Sequence, residues 1–395
     1  MVAPVAGARI LMVAGEPSGD RHGAALAAEL LRHPALTGVM LEGVAGPLMR
    51  AAGVRALVPM EELAVVGVVE VLAHLPALLA ARRALDRRLA DGATRLFLPI
   101  DFPGFNLPLC AAAHKKGVPV LYYIAPQVWA WGKDRLPKMA QTVDHLAAVF
   151  PFEEPLYRAA GVPVTYVGHP LVESLDPALS RAAFLAELGW PADTSFAALL
   201  PGSRDGELAR LAGPLLEFAV ALAGARPGAR AVLAAASEAQ ARALAARVQA
   251  LPAARGLGDR LKVVVDRTRE TLAFARAAVV ASGTATLECA ALGTPLVAVY
   301  RLATPTYWLA RRLVRLERFA LCNIIAGEDV APELLQDEVV PPRILQAFLP
   351  LWDDGAPRAL ALERAGRVRA KLGDPGASAR TAELAAALVR RGSSA

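Results

Sequence analysis

Two carboxylates stand directly behind apolar runs: Glu16 in Ala14-Gly15-Glu16-Pro17-Ser18-Gly19-Asp20, and Asp101 in Ile100-Asp101-Phe102-Pro103-Gly104-Phe105-Asn106. If both runs are strands of one sheet, both carboxylates emerge at the same edge, where a pair suits general-base work on a hydroxyl. Asp101 equally suits capping a helix that begins near Pro103. Two later loops, Leu200-Pro201-Gly202-Ser203-Arg204 and Ala281-Ser282-Gly283-Thr284-Ala285-Thr286-Leu287-Glu288, also place small residues at a helix start. Free N–H groups and the macrodipole favour an anion there. Ser203, Ser282, Gly283 and Thr284 would then face one phosphorylated ligand, and Arg204 can pair with a diphosphate. Each loop taken singly also reads as a tight turn with a Ser/Thr cap. Glu288 can accept from ribose hydroxyls, or it can simply complement the helix dipole. Asn323 is a polar residue in an apolar run; buried, it needs partners, and a structural role competes with a ligand contact. His22 and His169 read as scaffold. None of the loops is a GxGxxG or Walker sequence, which counts against NAD and ATP. No His/Cys/carboxylate cluster has metal spacing, so neither metal nor cofactor is expected.

The elements that must hold these loops alternate almost from end to end. Strands are expected at Ile10–Ala14, Val39–Val44, Leu96–Ile100, Val118–Ile124, Leu146–Phe150 and Val164–Val167. A second set is expected at Phe196–Leu200, Ala231–Ala235, Leu261–Val265, Ala278–Ala281 and Leu296–Tyr300. Helix-period segments lie between most of them, which predicts parallel sheets covered on both faces. Two sets of strands fit two doubly wound, Rossmann-like α/β domains better than one very wide sheet. We expect the first domain over 1–170 and the second over 171–340, with the boundary in the polar stretch Gly168–Ser180. A helical tail over 341–395 should cross a domain seam or meet a partner subunit.

Composition narrows the class. The chain has 395 residues, 55% of them hydrophobic and 20% charged, too apolar for disorder and sufficient for sizeable cores. Its mean hydropathy of +0.38 raises the question of a membrane. The longest charge-free stretch, Gly117–Gly132, is broken by prolines, so a spanning helix is not expected. That leaves a soluble chain or one lying on a membrane surface. The N-terminus reads as a first strand and not as a signal peptide. Three cysteines (Cys110, Cys289, Cys322) point to a reducing cytoplasm. A net charge of +6 without basic–aromatic repeats gives no sign of a nucleic-acid partner. Leu63–Ala80 is apolar enough for buried core or an acyl-chain groove. Tyr307–Phe319 mixes basic and apolar residues at helical spacing, as an anionic membrane surface or a solvated face would require.

The sequence resembles the lipid-A-disaccharide synthases, inverting glycosyltransferases of the GT-B fold. The resemblance rests on motifs in register through nearly the whole chain: AGEPSGD (14–20), GVAGPLM (43–49), ELAVVGVVEVL (62–72), DFPGFN (101–106), APQVWAW (125–131), PFE (151–153) and GHPLVE (168–173). It continues in LLPGSRDGE (199–207), ASGTATLE (281–288), GTPLVAVYR (293–301), NIIAG (323–327) and PELLQ (332–336). The resemblance implies metal-independent transfer from UDP-2,3-diacylglucosamine to 2,3-diacylglucosamine-1-phosphate (lipid X), giving a β-1,6-linked disaccharide phosphate and UDP. The setting it implies is the cytoplasmic face of the inner membrane, with a possible homodimer exchanging tail helices. It assigns functional positions to Glu16, Asp101, Arg204 and Asn323, with UDP in the second domain. Asp101 would be the base and Glu16 would orient the acceptor, or the reverse. Val66, Val68, Val69 and Leu72 would form the acyl surface. This chain departs from the family pattern at Gly104, Cys322, Glu328 and Arg276-Ala277-Ala278, where Asp, Pro, Arg and Ser/Ala-Asp-Ala are usual. Competing readings are another UDP-sugar enzyme on the same scaffold, such as a UDP-N-acetylglucosamine 2-epimerase or an N-acetylglucosaminyl transferase, and a non-catalytic nucleotide- or lipid-binding protein.

Overall fold

A computed structural model describes residues 7–63, 68–129, 132–302 and 318–391. Seven parallel strands form a first sheet: β1 (Arg9–Ala14), β2 (Met40–Ala45), β3 (Arg55–Pro59), β4 (Thr94–Ile100), β5 (Leu121–Tyr123), β6 (His145–Ala148) and β7 (Val164–Tyr166). Six more form a second: β8 (Phe196–Leu200), β9 (Arg230–Ala235), β10 (Leu261–Val265), β11 (Ala277–Ala281), β12 (Leu296–Tyr300) and β13 (Glu333–Leu335). The spatial orders are β3-β2-β1-β4-β5-β6-β7 and β10-β9-β8-β11-β12-β13, with every pairing parallel. Both sheets are doubly wound, as the alternation of apolar runs and helical segments requires.

Two strands were not anticipated. Both β3 and the three-residue β13 lie at sheet edges and are only partly buried, so neither carries a long apolar run. The expected strand over 118–124 shrinks to β5 because Pro119 interrupts it and Ile124 turns into the left-handed region (φ 61°). The helix Asp205–Ala225, although interrupted by Asp205, Glu207, Arg210 and Glu217, is long and apolar enough to cross a membrane by length and composition. It is a core helix: Leu208, Leu211, Leu215, Phe218 and Leu222 pack into the cluster that covers the second sheet.

The chain divides into two compact units, residues 1–173 with 372–395, and residues 174–371. The helices after Pro341 are shared between them. In the second unit, Pro341–Trp352 lays Phe348 edge-on against Phe218 at 4.9 Å. In the first, Glu173 caps the helix Ala377–Arg391, accepting from the Ser378 N–H at 2.9 Å and the Ser378 hydroxyl at 2.8 Å. Arg380 donates to the Val167 carbonyl at 2.8 Å, tying that helix to the segment after β7.

Candidate active site

In an open parallel sheet the crevice lies where the strand order reverses, beyond the carboxyl ends of the strands. In the first sheet that point falls between β1 and β4, which pair in register through Ala14 and Ile100. Glu16 and Asp101 follow those two ends directly. The loops are in close contact, since a Cβ on Gly15 would lie within 2.6 Å of three Phe102 ring carbons. Burial first, then the negative charge of Glu16, raises the Asp101 carboxyl to about 6, and the Phe102 N–H opposes the rise. The two carboxylates are thus electrostatic neighbours, as the strand pattern required.

Asp101 is not a helix cap. The helix Pro103–Lys115 has Phe102 at its N-cap position and no side-chain cap. Asp101 and Phe102 are instead both left-handed, at φ 46° and 51°. Asp20, the end of the first motif, is buried and accepts from the Leu48 and Met49 N–H groups at 2.9 and 3.0 Å. It thereby caps the short helix Pro47–Ala51. A Cβ on Gly46 would lie within 2.8 Å of its carboxyl atoms, so GVAGPLM is the receptor for AGEPSGD.

A third carboxyl escaped the sequence reading. Glu153 begins the helix Glu153–Ala159 and is completely buried, accepting from Trp129 Nε1 at 3.1 Å and from the Phe150 N–H at 3.2 Å. Burial raises it to about 7 against those hydrogen bonds, with the Asp101 charge adding to the rise. PFE was visible as a motif, but nothing local reveals that its carboxyl meets Trp129. His22 and His169 are both buried with their rings edge-on at 6.2 Å, and His169 Nδ1 accepts from the Leu171 N–H at 3.1 Å. Burial lowers them to about 4 and about 3, so both are neutral at pH 7.

In the second sheet the order reverses between β8 and β11. The loops that emerge there are Pro201–Arg204 and Ser282–Thr284, leading into the helices Asp205–Ala225 and Thr284–Ala291. Arg204 is exposed and pairs with Glu207 at 3.1 Å, while the other Glu207 oxygen accepts from the Ser203 N–H at 3.2 Å. An exposed pair of this kind contributes about 0–1 kcal/mol, so a phosphate can replace Glu207 as the guanidinium's partner at small cost. Ser203 and Thr284 are exposed. The Ser282 hydroxyl donates to the Phe319 carbonyl at 3.1 Å, and Gly283 holds φ 151° with open space where a side chain would stand. Tyr300 stacks on Phe319 with ring centroids 5.9 Å apart, and burial first, then the charge of Glu207, raises its phenol against the opposing charges of Arg204 and Arg210.

Each of two second-sheet residues loses one of the two readings open to it. Glu288 is buried in the second turn of its helix, 3.7 Å from Arg269 Nε, so it is not a first-turn carboxylate set against the dipole. Asn323 is buried, and its amide is saturated. Nδ2 donates to the Ala331 carbonyl and to Glu333 Oε1, both at 2.8 Å, while Oδ1 accepts from the Val330 and Ala331 N–H groups at 2.9 Å. Four partners fill an Asn amide, so in this arrangement Asn323 shapes the 326–333 turn and does not present its amide to a ligand.

Of the departures from the family pattern, Gly104 faces open space. Glu328 is turned onto the helix Ala356–Lys371, where Arg367 holds it through two bonds of 2.8 and 2.9 Å and Arg364 lies 3.4 Å away. Cys322 is buried. The Arg276 guanidinium reaches Asp354 at 2.8 Å. Val66 lies outside the described residues, as do the side chains of Val68, Val69 and Leu72, and Tyr307–Phe319 is described only at its last two positions.

Two doubly wound sheets, each with polar loops at its switch point, define a scaffold of two Rossmann-like units. Solved structures share it. The calicheamicin glycosyltransferase CalG4 superposes with a TM-score of 0.62 at 20% identity, over 97% of this chain and 98% of its own. The UDP-GlcNAc 2-epimerase of Neisseria meningitidis bound to UDP-GlcNAc gives 0.59 at 12% identity, over 97% and 100%. At those identities the likeness is one of fold, the GT-B class. A model of the family described as Lipid-A-disaccharide synthetase matches residues 10–384. The lipid-A-disaccharide synthase of Geobacter metallireducens is 43% identical over 381 residues, covering 95% of this chain and 96% of that protein. That of Nitrosococcus oceani is 41% identical over 380 residues, covering 96% of each. The chain belongs to the lipid-A-disaccharide synthase family and is, on that footing, a glycosyltransferase of lipid A biosynthesis.

Proposed function

We propose that this protein transfers 2,3-diacylglucosamine from its UDP derivative to the 6-hydroxyl of 2,3-diacylglucosamine-1-phosphate, with inversion, releasing UDP. The observation that carries the reading is the Asp101–Glu16 pair at the β1/β4 switch point, with Asp101 raised to about 6. A carboxyl of that value is mostly ionised at pH 7 and still basic enough to share a proton in the transition state. Asp101 takes the hydroxyl proton as the acceptor oxygen attacks the anomeric carbon. The bond from that carbon to the UDP oxygen breaks, and the electron pair leaves with UDP. Glu16 orients the acceptor and, by its charge, keeps Asp101 basic.

In the second unit Arg204 and the N–H groups at the start of Thr284–Ala291 receive the charge that develops on the departing diphosphate. Ser203, Ser282, Gly283 and Thr284 line that anion and Glu288 serves the ribose, while Asn323 contributes by holding the turn that borders it. Both lipids are amphiphiles, so Val66, Val68, Val69 and Leu72 take acyl chains, and the protein works at the cytoplasmic face of the inner membrane, as a monomer or a homodimer.

UDP release should be followed in mixed micelles with either lipid alone and with both. Release only when both are present supports acceptor-dependent transfer. Release from the donor alone at the same rate means hydrolysis, or another UDP-sugar reaction, and overturns the reading.

A further inference from the structure

Asp101 and Phe102 occupy the left-handed region in succession, at φ 46° and 51°. Each such non-glycine residue costs of order 1–3 kcal/mol and persists only where its surroundings hold it. Here the holding groups converge on one atom. The Asp101 carbonyl accepts from Asn106 Nδ2 at 2.7 Å and from the Tyr122 hydroxyl at 2.8 Å. The Asp101 N–H donates to the Tyr123 carbonyl at 3.0 Å. Asn106 and Tyr122 are both completely buried. Asn106 Nδ2 also reaches the Val13 carbonyl at 3.5 Å, near the end of the strand that leads to Glu16. Asn106 Oδ1 is buried with no hydrogen-bond partner among the described residues, so the amide serves as a donor only. One side chain therefore bridges the backbones beneath both carboxylates, and the Phe102 ring lies against Gly15 on the other side of the same turn.

We propose that Asn106 and Tyr122 are positioning residues for the transfer reaction: by clamping the Asp101 carbonyl they fix where its carboxylate sits and how far it stands from Glu16. The inference rests on the reading of Asp101 as the base. Asn106 and Tyr122 act through the Asp101 backbone and not on the sugars. The ionisable groups that bear on Asp101 among the described residues are Glu16 on the β1 loop, Glu153 after β6, and the phenols of Tyr122 and Tyr157.

The test compares Tyr122→Phe, Asn106→Ala and Asn106→Asp with wild type and Asp101→Asn in the full-length protein, by kcat, KM for both lipids, the pH dependence of kcat/KM and the melting temperature. Loss of one clamping bond should lower kcat about tenfold with KM unchanged, the kinetic equivalent of about 1.4 kcal/mol. The acid limb should move to lower pH as Asp101 relaxes away from Glu16. Asn106→Asp fills the same space but cannot donate when ionised, so its kcat should fall like that of Asn106→Ala while its added charge moves the acid limb to higher pH, whereas a space-filling role predicts that it keeps full kcat. Tyr122→Phe retains the buried ring and decides the matter alone should the Asn106 variants fail to fold. A lower melting temperature with kcat and the acid limb unchanged overturns the clamp. Full activity in Asp101→Asn overturns the base, and the clamp falls with it. Activity lost in Asp101→Asn but full in Tyr122→Phe and in both Asn106 variants removes the clamp and leaves the base.

Discussion

Asp101→Asn should make the protein more stable at pH 8 and slow its turnover sharply at every pH. Asp101 ionises at about 6 in the fold against an ordinary value of 3.8, so the folded state binds its proton more tightly than the unfolded chain. For a carboxyl raised in this way the native state loses stability as pH rises from 3.8 through 6, and above that the cost is constant. The gap, at about 1.4 kcal/mol per pH unit, sets a ceiling of about 3 kcal/mol, reduced by the solvent that reaches a half-buried residue. Asparagine keeps an oxygen for the Phe102 N–H and removes the charge. Urea unfolding at pH 8 and pH 5, recorded as variant minus wild type, isolates the effect. Glu153, raised to about 7 and carrying the same sign, cancels to first order in that difference. We expect the variant to lead by up to about 3 kcal/mol at pH 8 and the lead to shrink at pH 5, while kcat falls about 100- to 10,000-fold, the usual worth of a general base. A lead that is equal at both pH values, or a wild type that is the more stable at pH 8, refutes the electrostatic argument.

Three other perturbations bear on separate parts of the structure. Gly104→Asp enters open space at a backbone angle that accepts a side chain, so it should fold normally and move the acid limb of kcat/KM to higher pH by adding negative charge to the Asp101 loop; an unmoved limb would place that residue too far away to matter. Gly15→Ala drives a methyl group into the Phe102 ring and should cost about 1–3 kcal/mol in urea unfolding together with most activity, whereas a silent substitution would show the two loops to be independent. Arg204→Ala should weaken UDP binding about 10- to 100-fold in calorimetry while leaving the melting temperature within a degree or two, because its pair with Glu207 is exposed.

The placement of Glu16 and Asp101 was legible because it follows from chain grammar: each apolar run ended in a polar loop, and parallel strands all end at one edge. The same grammar located the PGSR and SGTAT loops at the second switch point. It failed where a side chain's partner is distant in sequence. For Asn323 the sequence left a structural role and a ligand contact open, because its main hydrogen-bond partners arrive from the turn at 330–333. Glu328 stands where the family pattern has Arg, and nothing local shows that its carboxylate pairs with Arg367, 39 residues away. Glu153 was overlooked because a carboxylate at a helix start reads as ordinary dipole compensation, and only packing shows it sealed beneath Trp129. β3 and β13 escaped because edge strands need no continuous apolar face.

The proposed reaction joins two acylated glucosamines through a β-1,6 bond. The most direct measurement incubates the purified protein with UDP-2,3-diacylglucosamine and 2,3-diacylglucosamine-1-phosphate in detergent with EDTA, then examines the lipid product by mass spectrometry and NMR. The expected product is a tetraacyl disaccharide 1-phosphate, formed in molar balance with UDP, with a β anomeric configuration at the new linkage. UDP without disaccharide, an α linkage, or no turnover from a folded protein would contradict it.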